Sequence, residues 1–262
     1  MFQVSKVERF RPIAKRGSAV TLFALLLLAF SPFARAGSSS QFSVGSFPAS
    51  SAPLAVAGDP SVEPAIPPSP VGLWHLDETS GTTAFDSSGR GHNGAISGPV
   101  TLGVPGKVNT AYGFTPKSTV IVPDAPDLRP GTGRIVVSYF VKLTTPPPSG
   151  TDYDIFTKGD TTTSGGQIKL EVQRNGQASC MFRGSLGQRQ LQAGPNVIDG
   201  KWHKVTCKRA GNQIVETVSG TSFSVTQATG AITNTAEVRI GSHLGGGDWY
   251  NGVLDEVSYA IG

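Results

Sequence analysis

Trp74-His75-Leu76-Asp77-Glu78 and Trp249-Tyr250-Asn251-Gly252-Val253-Leu254-Asp255-Glu256-Val257 stand at opposite ends of one region, and their reading decides the fold. Each has an aromatic residue upstream of a strand-like run and a carboxylate at its mouth. The first leads into Gly81-Thr82-Thr83-Ala84-Phe85-Asp86-Ser87-Ser88-Gly89, where Asp86 is placed to form an Asx-turn. The two segments read as the opening and closing strands of one β-sandwich, meeting at a shared edge.

Everything between them has the period of a strand. In Arg134–Leu143 the residues Ile135, Val137, Tyr139, Val141 and Leu143 share one face. Val136 and Phe140 share the other with Ser138 and Lys142, as in the middle of a sheet. Gln167–Gln173 turns Ile168, Leu170 and Val172 inward, and Asn175-Gly176 predicts a two-residue hairpin turn. The return strand, Gln177–Arg183, carries Ala178, Cys180 and Phe182 on one face. Lys201–Arg209, with Val205 and Cys207 on one face, Asn212–Ser219 and Glu237–Gly241 continue the pattern. No stretch sustains a helical period, Gly and Pro recur every ~8–12 residues, and no internal repeat is evident. The expected fold is all-β, an antiparallel β-sandwich of jelly-roll type over residues 71–262.

The segments before it read differently. Residues 1–36 have a basic lead (Lys6, Arg9, Arg11, Lys15, Arg16), an apolar run from Val20 to Phe30 and a small-x-small Ala34-Arg35-Ala36, the pattern of a signal peptide. The apolar run is shorter than the ~20 residues a bilayer span needs. Residues 37–70 hold 24 Ser, Pro, Ala and Gly among 34 positions, too few apolar groups to offset ordering entropy, and read as a disordered spacer. Residues 1–36 carry six of the 22 basic and one of the 18 acidic residues, so the remainder has 16 basic against 17 acidic, a net of −1. The sequence pI of about 9.1 is therefore a property of the leader. No basic patch marks a nucleic-acid partner. Secretion without membrane insertion is the expected destination.

Two cysteines, Cys180 and Cys207, fall in the folded region. In an exported chain an even count reads as a disulfide, with two buried free thiols as the alternative. No C-x-x-C spacing or neighbouring ligand cluster points to zinc, and the histidines at 75, 92, 203 and 243 are scattered.

Five motifs in order now carry a resemblance. They are Trp74–Glu78 with Asp86–Gly94, Val120-Ile121-Val122-Pro123-Asp124, Ile155–Asp160, Asp199-Gly200-Lys201-Trp202-His203-Lys204-Val205, and Tyr250–Val257. Together they resemble laminin-G-like, concanavalin A-like lectin/glucanase jelly-roll domains of the exported bacterial type. The resemblance implies a core position for Trp202. It also implies a Cys180–Cys207 disulfide between neighbouring strands, a loop closure worth roughly 3 kcal/mol. One structural calcium ion is implied too, with Asp255 as ligand and Asp77 as second ligand among carbonyl groups; the alternative for Asp255 is capping of backbone N–H groups. Val218-Ser219-Gly220 departs from the family's Val-Asp-Gly.

Gly245-Gly246-Gly247-Asp248-Trp249-Tyr250 is the expected ligand loop, with Asp248, Trp249 and Tyr250 as binding residues, since aromatic side chains beside polar groups stack on sugar rings. For catalysis, jelly-roll glucanases place two carboxylates on one strand face. Glu171 stands alone among Lys and Gln, Asp255 and Glu256 point to opposite faces, and no G-x-S-x-G elbow or free Cys-His arrangement is present. The expected function is a non-catalytic binding module for a glycan or a cell-surface protein. A structural or protein-interaction domain of the cell envelope is the alternative, and a polysaccharide hydrolase comes third.

Overall fold

The computed structural model describes residues 68–262. The expected signal peptide and the spacer up to residue 67 lie outside the described residues. The first strands are β1 (Pro70–Trp74), β2 (Thr83–Ala84), β3 (Gly94–Ser97), β4 (Thr101–Pro105), β5 (Thr110–Phe114) and β6 (Thr119–Val122). After a 3-10 turn at Pro126–Leu128 come β7 (Ile135–Lys142), β8 (Tyr153–Lys158), β9 (Gln167–Val172), β10 (Ala178–Gly184) and β11 (Gly187–Ala193). The last are β12 (His203–Ala210), β13 (Gln213–Val218), β14 (Thr221–Thr226), β15 (Val238–Ile240) and β16 (Gly252–Ile261). No described helix is long and apolar enough to cross a membrane.

The strands form two antiparallel sheets, the jelly-roll sandwich expected. One runs β14-β13-β12-β7-β16-β5-β4 with β1 also on β16, and the other runs β11-β10-β9-β8-β15-β6-β3-β2. The opening and closing strands do pair, Trp74 with Val257 through Pro70 with Ala260. They meet inside the first sheet, however, and not at its edge. β16 is long enough to hold β7 on one flank and two shorter strands on the other, β5 at Gly252–Leu254 and β1 at Val257–Ala260. The β16–β7 register shifts between Asp255 and Ser258, and Glu256 there has φ 53°.

Alternation builds the core as expected. β7 is buried at every second residue from Ile135 to Val141. Aromatic rings fill much of the space between the sheets: Phe114 and Tyr153 lie 5.9 and 5.7 Å from Tyr250, and Phe156 lies 5.3 Å from Tyr259. Asp86 forms the expected Asx-turn with the Ser88 N–H and also accepts from the Leu73 and His92 N–H groups.

Three local expectations are corrected. The hairpin after β9 has a three-residue loop, Arg174-Asn175-Gly176: the Gln173 N–H reaches the Gln177 carbonyl, and Gly176 sits at φ 84°. Asn175 does not take the positive φ that a type I′ turn needs, so Gly176 alone is left-handed and the loop is one residue longer than that tight turn. Trp202 is half-buried rather than in the core, with the Lys142 ammonium 5.9 Å from its ring. Finally, Cys180 and Cys207 are bonded, with Cα atoms 5.7 Å apart, but their strands β10 and β12 belong to opposite sheets. Phe182 and Val205 do mark a shared surface; it is the core facing both sheets, so the disulfide staples one sheet to the other.

Beside that staple, Glu216 on β13 is fully buried. It is the register partner of Cys207, and its Oε2 accepts the Ala193 N–H from the end of β11, a second cross-sheet tie. Its Oε1 has no hydrogen-bond partner. Burial pushes its acid up to about 8, against an ordinary 4.5, although the Ala193 N–H lowers it. A raised folded-state value favours the protonated acid, so the stability is present below the unfolded value and is lost as pH rises through the folded one. Thermal melts should fall in midpoint from about pH 5 to pH 8, and Glu216→Gln should flatten that slope; an unchanged slope removes Glu216 as its source.

Candidate functional site

The outward face of the second sheet is set by register. With Ile168, Leu170 and Val172 turned to the core, the alternate residues of β9 face outward. Pairing across β11, β10, β9 and β8 aligns Gln192, Ser179, Glu171 and Asp154 in one row. The next row is Gln190, Met181, Lys169 and Thr157, and the next is Gln188, Arg183 and Gln167. Directly opposed residues on antiparallel strands bring their side chains together, so carboxylates from separate strands converge.

Lys169 is the counter-ion of that convergence. Its ammonium lies 3.0 Å from Asp152 Oδ1, 3.1 Å from Asp154 Oδ1 and 2.5 Å from Glu171 Oε2. Asp154 is fully buried and Glu171 nearly so. Glu171 Oε1 also accepts from the Gln173 and Gln190 amides and the Ser179 hydroxyl. Burial drives the Asp154 acid well above its usual range and raises that of Glu171, with Asp152 adding to both and Lys169 opposing. Burial depresses the Lys169 ammonium, but the surrounding carboxylates outweigh it and hold its acidity lower than that of an ordinary lysine.

Three adjoining cavities run along this face. One of about 330 Å³ is lined by Asp152, Lys169, Glu171 and the amides of Gln173, Gln188, Gln190 and Gln192. One of about 220 Å³ is lined by Asp154, Asp160, Gln167, His243 and Asp248, and shares Thr161 and Lys169 with the first. The third, about 320 Å³, is apolar, walled by Pro146-Pro147-Pro148, Tyr153 and Trp249, and shares Asp152 and Asp248 with its neighbours. The Asp154 N–H donates to the Asp248 carbonyl at 2.9 Å, which ties the 243–249 loop to β8.

A laminin-G-type family model, described as the concanavalin A-like lectin/glucanases superfamily, matches residues 114–259, more than half of the chain. The chain belongs to that superfamily. Among solved structures, domain 4 of AbnA, a GH43 extracellular arabinanase from Geobacillus stearothermophilus, in complex with arabinotriose, is similar with a TM-score of 0.58 and 18% identity over 75% of this chain and 94% of that one. The binding domain of botulinum neurotoxin DC is similar in its complex with SialylT (TM-score 0.55, 12% identity, 73% of this chain and 48% of that one). It is similar again in its complex with rat synaptotagmin II (TM-score 0.56, 10% identity, 73% and 48%). The chain spans about half the length of these toxin domains. At such identities the likeness is one of fold. No curated protein sequence matches the chain.

Within this superfamily fold, the expected site residues separate. Asp248 and Trp249 line the cavities. Tyr250 does not: it is buried in the aromatic core, its hydroxyl donating toward the Lys142 and Val253 carbonyls. Asp77 and Asp255 line none of these three cavities and lie at the seam where β16 changes partner from β5 to β1. Asp255 Oδ2 accepts from the Lys107 and Val108 N–H groups at 2.6 and 2.8 Å. Asp77 Oδ1 accepts from the Thr110 N–H and Oδ2 from the Asn109 amide. Both carboxylates thus pin the β4–β5 turn to the seam, the N–H-capping alternative for Asp255. Asp255 Oδ1 is buried without a partner, and burial, then the nearby Glu256 and Asp77 charges, raise its acid.

The carboxylate group on β8 and β9 is what sequence reasoning missed. Glu171 is not alone: Asp152, Asp154 and Glu171 each bring an oxygen within 4.8 Å of the others. A test for two acids on one strand is blind to acids on paired strands. Lys169 is expected to hold this group together. Lys169→Met should destabilise the fold by about 3–5 kcal/mol at neutral pH, the cost of breaking a buried ion network. The deficit should shrink below pH ~4, where carboxylates are protonated in both states. Urea midpoints at the two pH values check both parts, and a pH-independent loss would mean that packing, not charge, is what the variant removes.

Proposed function

We propose that the chain is an exported, non-catalytic carbohydrate-binding module, and that its ligand lies along the outward face of β8 to β11. The observation that carries this reading is the make-up of the joined cavities. An aromatic and proline wall at Trp249 adjoins a row of Gln amides and carboxylates, so ring faces can stack at one end while hydroxyls exchange hydrogen bonds at the other. Secretion rests on the leader sequence and agrees with a disulfide inside the core. Two of the structural neighbours are complexes with arabinotriose and with SialylT, which supports a sugar ligand by analogy of fold only.

A cell-surface protein is the second reading, supported by the same toxin domain in complex with rat synaptotagmin II. Hydrolysis is the third. The Asp154–Glu171 pair gives it a specific footing, but a glycosidase needs the scissile oxygen or a water between its two acids. Here the Lys169 ammonium holds an oxygen of each.

A glycan array on the full chain tests the first reading, with sugar release from polysaccharides testing the third. Against any glycan retained, Trp249→Ala should weaken binding by about 2 kcal/mol, roughly 30-fold. Unchanged affinity removes Trp249 from the site, and an array with no hit moves the balance to a protein partner.

One structural calcium ion remains part of this proposal. Asp255 Oδ1 is its foothold, because it is a buried carboxylate oxygen with nothing bonded to it. Asp77 is already spent on the Asn109–Thr110 turn, so carbonyl groups would supply most of the six to eight oxygens. Millimolar Ca²⁺ should raise the melting midpoint over chelator, and Asp255→Asn should cancel the rise; no rise in the parent chain rules the ion out.

A further inference from the structure

Asp154, His243 and Asp248 meet on the wall of the 220 Å³ cavity and have a property that the sugar-binding reading does not use. Asp154 sits on β8 and is sealed from solvent. Its Oδ1 faces the Lys169 ammonium at 3.1 Å, and neither Oδ1 nor Oδ2 has a hydrogen-bond partner. Across from Oδ2 stands the imidazole of His243, whose Nδ1 is also buried and also without a partner. The two orphaned atoms face each other at 3.9 Å, and Asp248 Oδ2 stands 4.0 Å from the same nitrogen. All three ligand atoms lie within 4.8 Å of one another.

A separation of 3.9 Å is too long for a hydrogen bond, so the pair does not satisfy itself. It is close to what a shared ion requires. Two ligands bonded to one zinc ion at ~2.1 Å stand ~3.4 Å apart in a tetrahedral site. Each carboxylate oxygen is about half an ångström beyond that spacing from the imidazole nitrogen, and an ion held by all three would draw the partly exposed His243 and Asp248 side chains of the 243–249 loop in toward Asp154. A buried carboxylate oxygen and a buried imidazole nitrogen, each unpaired, are costly to leave so. An ion would satisfy both at once.

We propose that Asp154, His243 and Asp248 form a binding site for one divalent cation of the zinc class. One imidazole nitrogen with two carboxylate oxygens selects this class over calcium or magnesium, which take oxygen ligands throughout. Three protein ligands leave a fourth position open toward the cavity, the arrangement of an ion that takes a water or a ligand oxygen. Lys169 neutralises Asp154 Oδ1 from the other side, so one carboxylate serves both the lysine and the metal. Gly247 supports the ring: a Cβ at this position would stand 2.4 Å from His243 Cε1, so the backbone backs directly onto the imidazole.

The site is separate from the seam at Asp255, and the proposal does not depend on a sugar being bound. Equilibrium dialysis of the full chain against Zn²⁺, without any glycan, should give one ion per chain. Co²⁺ in its place should give the visible absorption of a low-coordinate site. His243→Ala, on a surface loop, should keep the fold and lower the affinity at least about tenfold. Asp154→Asn should do the same where its melting curve shows it folded, and Asp255→Asn should leave zinc binding unchanged. Failure to bind zinc at ~1 mM overturns the proposal. So does zinc binding that His243→Ala leaves intact, since His75, His92 and His203 each lie beside a carboxylate elsewhere on the surface. A negative glycan array bears on the proposed function alone, and the dialysis bears on this site alone.

Discussion

The backbone pairing of β16 is the constraint on which the sandwich rests. Buried N–H and C=O groups must find partners, and a ten-residue strand in the middle of a sheet has them on both flanks. On one flank β7 supplies them along almost the whole length. On the other no single strand does, and the opening segment of the domain covers the half that β5 leaves bare. The start of the fold therefore completes the pairing of its end. The break between the two partners falls at Asp255 and Glu256, where neither β5 nor β1 reaches. Asp255 responds by accepting two N–H groups from the β4–β5 turn, and the Glu256 N–H reaches back to the His75 carbonyl at 3.3 Å.

Each sheet spends its inward positions on apolar side chains, so chemistry is confined to the outward faces and the loops. On the second sheet that outward face carries three carboxylates against one lysine, largely out of water. Such networks seldom add net stability, because the desolvation of each charge offsets the attraction. Burial pushes Asp154 and Lys169 each toward its neutral form; the lysine charge opposes this at Asp154, and the Asp154, Glu171 and Asp152 carboxylates together oppose it at Lys169. A fold under no other demand would place apolar or solvated residues there. A polar face that costs stability is where binding chemistry belongs.

The sequence made the scaffold legible because alternation, turn residues and ordered motifs all report on one strand at a time. β7, β9, β10 and β12 follow from their own period, and the cysteines from their compartment. What it could not report is which strands lie beside or across from each other. Cys180 and Cys207 share an inward face in either arrangement; only topology places them on opposite sheets. Trp249 and Tyr250 are adjacent, and alternation sends one to the cavity wall and the other into the aromatic core. Asp154 and Glu171 are seventeen positions apart and become neighbours through the β8–β9 register. The Arg174-Asn175-Gly176 loop fixes the β9–β10 register and so the Ser179–Glu171 pair, but the β8–β9 register that adds Asp154 depends on residues 159–166, which carry no tight-turn signature. Nor does anything local say that the His243 loop folds back against β8.

That loop decides how the site and the scaffold are related. Residues 243–249 contain three consecutive glycines and would be free to wander on their own. Here the loop is closed on itself by the bonds from the Gly246 N–H to the His243 carbonyl and from the His243 N–H to the Gly247 carbonyl, and is tied to β8 by the bond from the Asp154 N–H to the Asp248 carbonyl. The same residue, Asp154, thus anchors the loop through its backbone and meets it through its side chain. A change in loop sequence can alter what Asp248, Trp249 and His243 present without disturbing either sheet, while a side-chain change at Asp154 keeps the backbone anchor and disturbs the charge network. Under the proposed function, specificity rests on the loop and its cost in stability on the strand, a division that lets one sandwich serve different ligands.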